Sequence, residues 1–422
     1  MEILDENVVP TVLVSTADAA TYRNNAAMRC AKALQFDVKR EIATSGWSLE
    51  DDRLGLKVYA KPMPGSSVAQ YLAIGALPTT LPSLVDALYA ETSNDQKILD
   101  SILLEHDFVN AGVLSVLEAR QKDDIGDFLG LKYLKFNIAM SSAPRDLTYI
   151  EHSGTRINEQ GARVLIVLRE SVALSAMPEV KGTTRATMLA SFVYTASPRG
   201  DVDVACRWFM DPNSSSLLLN CGAAKVRHML LRTATLPAYR RIVTRPPASS
   251  WVPDADRKAC VVCSKRFNAL RSKHHCRLCG EIMCSGCTTK IVYVPACASQ
   301  AVTGKYCTEC VVLAKANGNV DVGTSSRHGS ITSTIASTYA SSPDVDDGAS
   351  DVSSVRSLRS NRSMASLRER ASVAAPPPAP VPDATIGHGF VALDLNAPSI
   401  GTTVVEEVAR QVTRRLSAEV DV

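Results

Sequence analysis

The sequence predicts an α+β chain in three parts: a curved antiparallel sheet closed by a long helix, a small finger braced by two metal ions, and a tail with no fold of its own. Three observations carry this. Residues 18–241 read as a helix, strands, two helices, six strands and a long helix, in that order. Residues 260–310 hold four CxxC pairs. From about residue 315, Ser, Thr, Asp, Pro and Gly dominate and apolar periodicity is lost until about residue 386. The parts are expected at 1–246, 247–314 and 315–422.

Taken in order, residues 18–42 form a helix with a loose apolar stripe of Ala20, Met28, Ala31, Leu34 and Val38. After Gly46-Trp47, Leu54, Leu56 and Val58 alternate with Arg53, Gly55, Lys57 and Tyr59, the pattern of a strand with one wet face. Val68 to Leu77 is a second strand. Thr79-Thr80-Leu81-Pro82 opens a helix with a polar cap and an early Pro. Its Leu81, Leu84, Val85, Leu88 and Tyr89 share one face. Asp95 to Leu104 is a shorter helix, and strands follow at 108–119, 130–139, 146–153, 162–171, 183–196 and 201–210. Asn213 to Arg241 is the closing helix, with Leu217, Val226, Leu230 and Leu231 as its core positions.

Short links between neighbouring strands imply a curved antiparallel sheet, with the last helix packed across it. This order resembles the START lipid-transfer domain, a helix-grip fold with an apolar tunnel. Gly46-Trp47, the strand from Leu54 to Lys61, the run Pro144 to Tyr149 and the run Trp208 to Pro212 match its landmarks loosely. The resemblance implies a cavity for one apolar lipid, with Ala190 among its small inward positions. A packed scaffold is the competing reading, because strand patterns do not separate a tunnel from a filled core. His106, His152 and His228 form no cluster. Arg145-Asp146 reads as an ion pair at a strand end, and no catalytic constellation is found.

Arg245 to Ser250 is a short Pro- and Ser-containing link to the finger. The pairs beyond it are Cys260/Cys263, Cys276/Cys279, Cys284/Cys287 and Cys307/Cys310, separated by 12, 4 and 19 residues. CxxC converges two thiolates on one ion, and four thiolates close a tetrahedral zinc site, so eight imply two zinc ions. Four residues are too few for the second and third pairs to share an ion easily. The pairs are therefore expected to interleave, with Cys260, Cys263, Cys284 and Cys287 on one zinc and Cys276, Cys279, Cys307 and Cys310 on the other.

Lys273-His274-His275-Cys276-Arg277-Leu278-Cys279-Gly280 sets two His and two cations beside these thiolates. The stretch resembles the FYVE zinc finger, a binder of phosphatidylinositol 3-phosphate on endosomal membranes. Trp251-Val252-Pro253-Asp254 stands for the family's WxxD, Ser272 to Gly280 for RRHHCRxCG, and Lys305-Tyr306-Cys307 for RVC. The resemblance implies that Asp254 and His275 recognise inositol hydroxyls and that Lys273, His274, Arg277 and Lys305 hold phosphate. Ala269 and Leu270 occupy the membrane-inserting turret. Ser272 and Lys305 depart from the family's Arg, keeping most of the charge while losing the planar fork. A finger that binds a small GTPase instead of lipid is the alternative, and a RING-like ubiquitin-ligase finger ranks third, since RING fingers usually spend His as zinc ligands.

The net charge of +3 over 422 residues gives no reason to expect a nucleic-acid partner. No run of 18 apolar residues suggests a membrane span, and the acidic start Met1 to Glu6 does not read as a signal peptide. Twelve cysteines, eight of them in CxxC and Cys30, Cys206, Cys221 and Cys297 scattered, fit a reducing cytosol. A chain peripheral on endosomal membranes is the expectation. The tail carries Pro376 to Pro380, an Arg/Ser-rich stretch from Arg356 to Ser372 and an apolar helical face (Val404, Val405, Val408, Val412, Leu416) that would form a partner-binding helix at 403–418.

Overall fold

A computed structural model describes residues 9–63, 68–138, 141, 143–213, 222–296 and 298–316. Expectations for the tail, for Leu217 and for Cys221 and Cys297 lie outside these residues.

Helix α1 (Thr16–Leu34) is capped by the Ser15 side chain, which accepts from Asp18 N. The expected single helix to residue 42 is two. Asp37 accepts from Arg40 N and starts α2 (Val38–Thr44) afresh, because a short polar side chain competes well for free helix-end donors. The α1 stripe is also rotated: Ala19, Ala26 and Cys30 are buried, whereas Ala20, Met28 and Ala31 face solvent. The cause is the outer face of the sheet, where Val164 and Ile166 meet Cys30, Ala33 and Leu34.

Strands β1 (Ser48–Arg53), β2 (Leu56–Pro62) and β3 (Ala69–Leu77) come next. Leu54, expected within a strand, is instead a turn residue with φ 55°, followed by Gly55 at φ 75°. The turn lets Arg53 pair with Leu56. Helices α3 (Leu81–Leu88) and α4 (Ser93–Leu104) are each N-capped by a Thr, Thr80 and Thr92. Then come β4 (Phe108–Glu118), β5 (Phe128–Phe136), β6 (Arg145–Ile157), β7 (Arg163–Ser171), the short β8 (Thr184–Arg185), β9 (Thr187–Ala196) and β10 (Val202–Asp211). The sheet order is β1-β2-β3-β10-β9-β7-β6-β5-β4, antiparallel throughout, with β8 added to β6 in parallel.

Helix α5 (Ala223–Val243) lies across the inner face. Val226, Leu230, Ala234, Ala238 and Ile242 are buried at every fourth position, forming one ridge. Opposite it stand alternate strand residues: Leu56, Val58 and Ala60 of β2; Met188, Ala190, Phe192 and Tyr194 of β9; Val202, Val204, Cys206 and Trp208 of β10. Arg145 and Asp146 do not pair with each other, since successive strand residues point to opposite faces. Arg145 Nε donates to Pro212 O at 2.7 Å, while Asp146 accepts from Arg185 at 2.8 and 3.1 Å.

The interior also holds a charge cluster. Lys132 of β5, Glu151 of β6 and Asp100 of α4 are all at most 2% exposed. Glu151 accepts from both Lys132 Nζ and Arg169 Nε. Burial works against ionising Glu151, but Lys132 and Arg169 outweigh it and hold its carboxyl below the usual range. Asp100 accepts from Gln96 Nε2, and burial pushes its carboxyl up to about 6.

Candidate metal centres and anion pocket

The finger is built from two hairpins and a helix: β11 (Lys273–His275) with β12 (Ile282–Cys284), β13 (Thr288–Tyr293) with β14 (Val302–Cys307), and α6 (Thr308–Ala316). Three of the CxxC pairs sit on tight turns, and Cys307/Cys310 spans the end of β14 and the first turn of α6. At Cys276/Cys279, Gly280 takes φ 76° and donates to Cys276 O at 2.8 Å. A Cβ there would lie 2.4 Å from Ser250 O, so only glycine fits.

The turns bring the cysteines together in the interleaved sets Cys260, Cys263, Cys284, Cys287 and Cys276, Cys279, Cys307, Cys310, with all ligand atoms of a set within 4.8 Å. Sulfur separations of 3.8 Å (Cys263–Cys284), 3.9 Å (Cys276–Cys310) and 4.0 Å (Cys279–Cys307) fit this donor set, since a tetrahedron with Zn–S of about 2.3 Å has edges of about 3.8 Å. Backbone N–H groups of Cys284 and Cys307 donate to Cys260 and Cys276 sulfurs at 3.3 Å, which favours thiolates. Burial opposes ionising Cys260, yet N–H groups of Cys263, Cys284 and Val262 help bring its thiol down to about 7.

The basic motif lies along β11, next to the second quartet. Lys305 Nζ of β14 donates to His274 Nδ1 at 3.2 Å, and the Ser272 hydroxyl is 3.4 Å from His274 Nε2. Burial, then Lys305 and Lys290, lower the His274 pKa. His275 Nε2 donates to Val252 O at 2.9 Å, lies 3.6 Å from Asp254 Oδ1, and its ring stacks on Trp251 with centroids 5.0 Å apart. Lys273 Nζ donates to Asp254 O. Asp254, Lys273, His274, His275 and Lys305 are thus brought to one rim by contact. Arg277 is held through its backbone, accepting from Ala248 N and donating to Lys305 O, and its side chain is exposed. Ala269 and Leu270 form the tip of the Asn268–Arg271 turn, where Asn268 Oδ1 accepts from Leu270 N and Arg271 N. Leu270 is 97% exposed.

Lys290, absent from every linear motif, is the residue that sequence reading missed. It stands directly opposite Lys305 in the β13–β14 register. Only that register could have revealed it. Lys273, Arg277, Lys290 and Lys305 make no ion pair with a carboxylate among the described residues.

The comparisons fall on two regions. The finger is 54% identical over 41 residues to the 1-phosphatidylinositol 3-phosphate 5-kinase of Saccharomyces cerevisiae, covering 10% of this chain and 2% of that one. It is 38% identical over 68 residues to zinc finger FYVE domain-containing protein 26 of Bos taurus, covering 16% of this chain and 3% of that one. The chain therefore spans only a few per cent of these relatives' length. The N-terminal part is similar to the human StAR-related lipid transfer protein 5, at TM-score 0.38 and 15% identity, covering 54% of this chain and 98% of that one. Residues 250–316 match the family model for the FYVE zinc finger, a finger that binds two zinc ions, and the two cysteine quartets are consistent with two such sites.

Proposed function

We propose that the chain is a peripheral membrane adaptor or lipid-binding protein, whose finger grips phosphatidylinositol 3-phosphate on endosomal membranes while the N-terminal domain holds a lipid between its sheet and α5. The observation that carries the first part is a set of cations with no carboxylate ion pair among the described residues: Lys305 and Lys290 against His274, and Lys273 and the exposed Arg277 on either side of it along the same stretch of chain, next to an exposed apolar tip. In this reading Lys273, His274, Arg277 and Lys305 hold phosphate, with Lys290 adding charge, and Asp254 and His275 meet inositol hydroxyls. Leu270 inserts together with Ala269. One leucine contributes roughly 2 kcal/mol on burial, so residence on the bilayer depends on the phosphate contacts as well.

A second reading, a protein-interaction module of the small-GTPase-effector kind, is favoured by Ser272, whose hydroxyl lies near His274 where the family pattern has Arg. Vesicle co-sedimentation of the whole chain at fixed salt separates the two. Binding is expected to be strongest to vesicles carrying phosphatidylinositol 3-phosphate, weaker to the other monophosphorylated inositides, and lost for Arg277→Ala. Equal binding to all vesicles, or an Arg277→Ala variant that binds like wild type, would hand the finger to the second reading.

A further inference from the structure

The finger is packed onto the N-terminal domain. Val294, just after β13, is 1% exposed and sits among Phe108, Ala111, Leu104, Leu134, Ala298 and Ala301. Its N–H donates to Ser101 Oγ of α4 at 3.0 Å, in a buried contact. Along α5, Val311 and Ala314 of α6 join the same core cluster as Leu236, Ala238 and Ile242. Arg241 near the end of α5 donates to Ala314 O at 3.1 Å and to Ser83 Oγ of α3 at 3.0 Å. The link has little slack, since Ala248 N donates to Arg277 O and Val252 N to Gly280 O.

Every docking element is bracketed by zinc ligands. Strand β13 starts immediately after Cys287, β14 ends at Cys307, and α6 contains Cys310. Without metal, eight thiols have nothing to draw them together, and the face that holds α4 and α5 loses its frame. Within the largely apolar interior that those helices cover lies a charged patch under α4. Asp100, next to Ser101 on α4, is buried near Lys132, Glu151 and Arg169. Gln96 Oε1, Tyr149 OH and Trp208 Nε1 are buried with no hydrogen-bond partner among the described residues. An unmet buried polar atom costs free energy, so such an interior takes up water when its cover loosens.

We infer that the zinc finger is a clamp on the N-terminal domain: its metal-framed face holds α4 and α5 over the interior with its charged patch, and loss of zinc or of the docking contacts opens that interior. The device does not depend on which lipid either part binds.

Hydrogen exchange of the whole zinc-loaded chain tests it, with and without a strong chelator. Chelation is expected to speed exchange at least tenfold in α4 and in the second half of α5, while α1, on the other face of the sheet, is unchanged. Val294→Asp, which puts a charge into the docking contact, is expected to do the same with two zinc ions per chain still bound. Ser101→Ala, which removes the hydroxyl that accepts from Val294 N and also donates to Ile98 O within α4, is expected to give a smaller effect of the same pattern. If Val294→Asp fails to fold, the chelation arm and Ser101→Ala decide. Unchanged α4 and α5 after chelation overturns the clamp, as does equal acceleration of α1, which would mean general destabilisation.

Discussion

At the scale of single residues, function and strain fall on side chains that sequence patterns hide. Lys290 and Lys305 face each other across β13–β14, and like charges directly opposite are destabilising. An anion between them relieves that repulsion. Lys290→Ala is therefore expected to weaken binding to phosphatidylinositol 3-phosphate vesicles about fivefold, from roughly 1 kcal/mol per cation near an anionic surface, while thermal stability holds or rises slightly. Lys290→Arg is expected to restore binding. A loss of affinity that tracks a loss of stability would contradict the direct role. Leu54 is the converse case, a residue whose backbone rather than side chain matters. It is 68% exposed, with positive φ, in a two-residue turn ahead of Gly55. Asn-Gly is preferred in such turns. Leu54→Asn is expected to stabilise the domain by about 0.5–1 kcal/mol in denaturant unfolding, and a destabilised variant would mean that the Leu54 side chain packs in solution.

At the scale of elements, what the sequence makes legible is what local chemistry decides. The Thr80 cap and the α3 face are local, and each is found where expected; the alternation of β2 holds from Leu56 onward, with Leu54 in the turn before it. The two zinc sets are legible because CxxC is local and a four-residue gap is restrictive. The buried face of α1 depends on which sheet residues it meets, so its stripe was misread. The cluster of Lys132, Glu151 and Arg169 escaped for a related reason: charged residues on strands suggest a wet face, and only the folded sheet shows them turned inward. Ala190 of β9 tests whether that interior is a container. It is 2% exposed and belongs to the core cluster under α5. If the interior holds a lipid, Ala190→Trp is expected to abolish co-purifying lipid in mass spectrometry and to leave the melting temperature within a few degrees. In a filled core there is no lipid to displace, and overpacking costs about 1–3 kcal/mol. Lipid-free wild-type protein together with a clear fall in stability would establish the packed scaffold.

At the scale of the whole molecule, the interior cluster makes stability depend on pH, and Asp100 is the group that shows it. Gln96 faces it from α4, Lys132 from β5, Tyr149 and Glu151 from β6 and Arg169 from β7. Burial raises its carboxyl to about 6 despite Arg169, Gln96 and Lys132, which pull it down. Its unfolded value is about 3.9. A raised carboxyl pKa means that the folded state binds the proton more tightly than the unfolded chain. The stabilisation is fully present below about pH 4 and is lost as pH rises through about 6, a change on the order of 3 kcal/mol. His152 works in the opposite sense: burial lowers its pKa from 6.5, so its contribution is lost as pH falls. Glu151, held ionised by Lys132 and Arg169, likewise loses its contribution in acid. Wild-type stability alone therefore mixes the three. The difference between wild type and Asp100→Asn isolates the first, because Asn can accept from Gln96 and does not titrate. Urea unfolding of both proteins between pH 4 and 8 is expected to show Asp100→Asn gaining on wild type as pH rises, most steeply between about pH 4 and 6, with little further change above pH 7. A difference that is flat across this range would mean that Asp100 stays ionised in the fold, paired to Arg169 or Lys132. A difference of opposite slope would mean that those two cations dominate its environment.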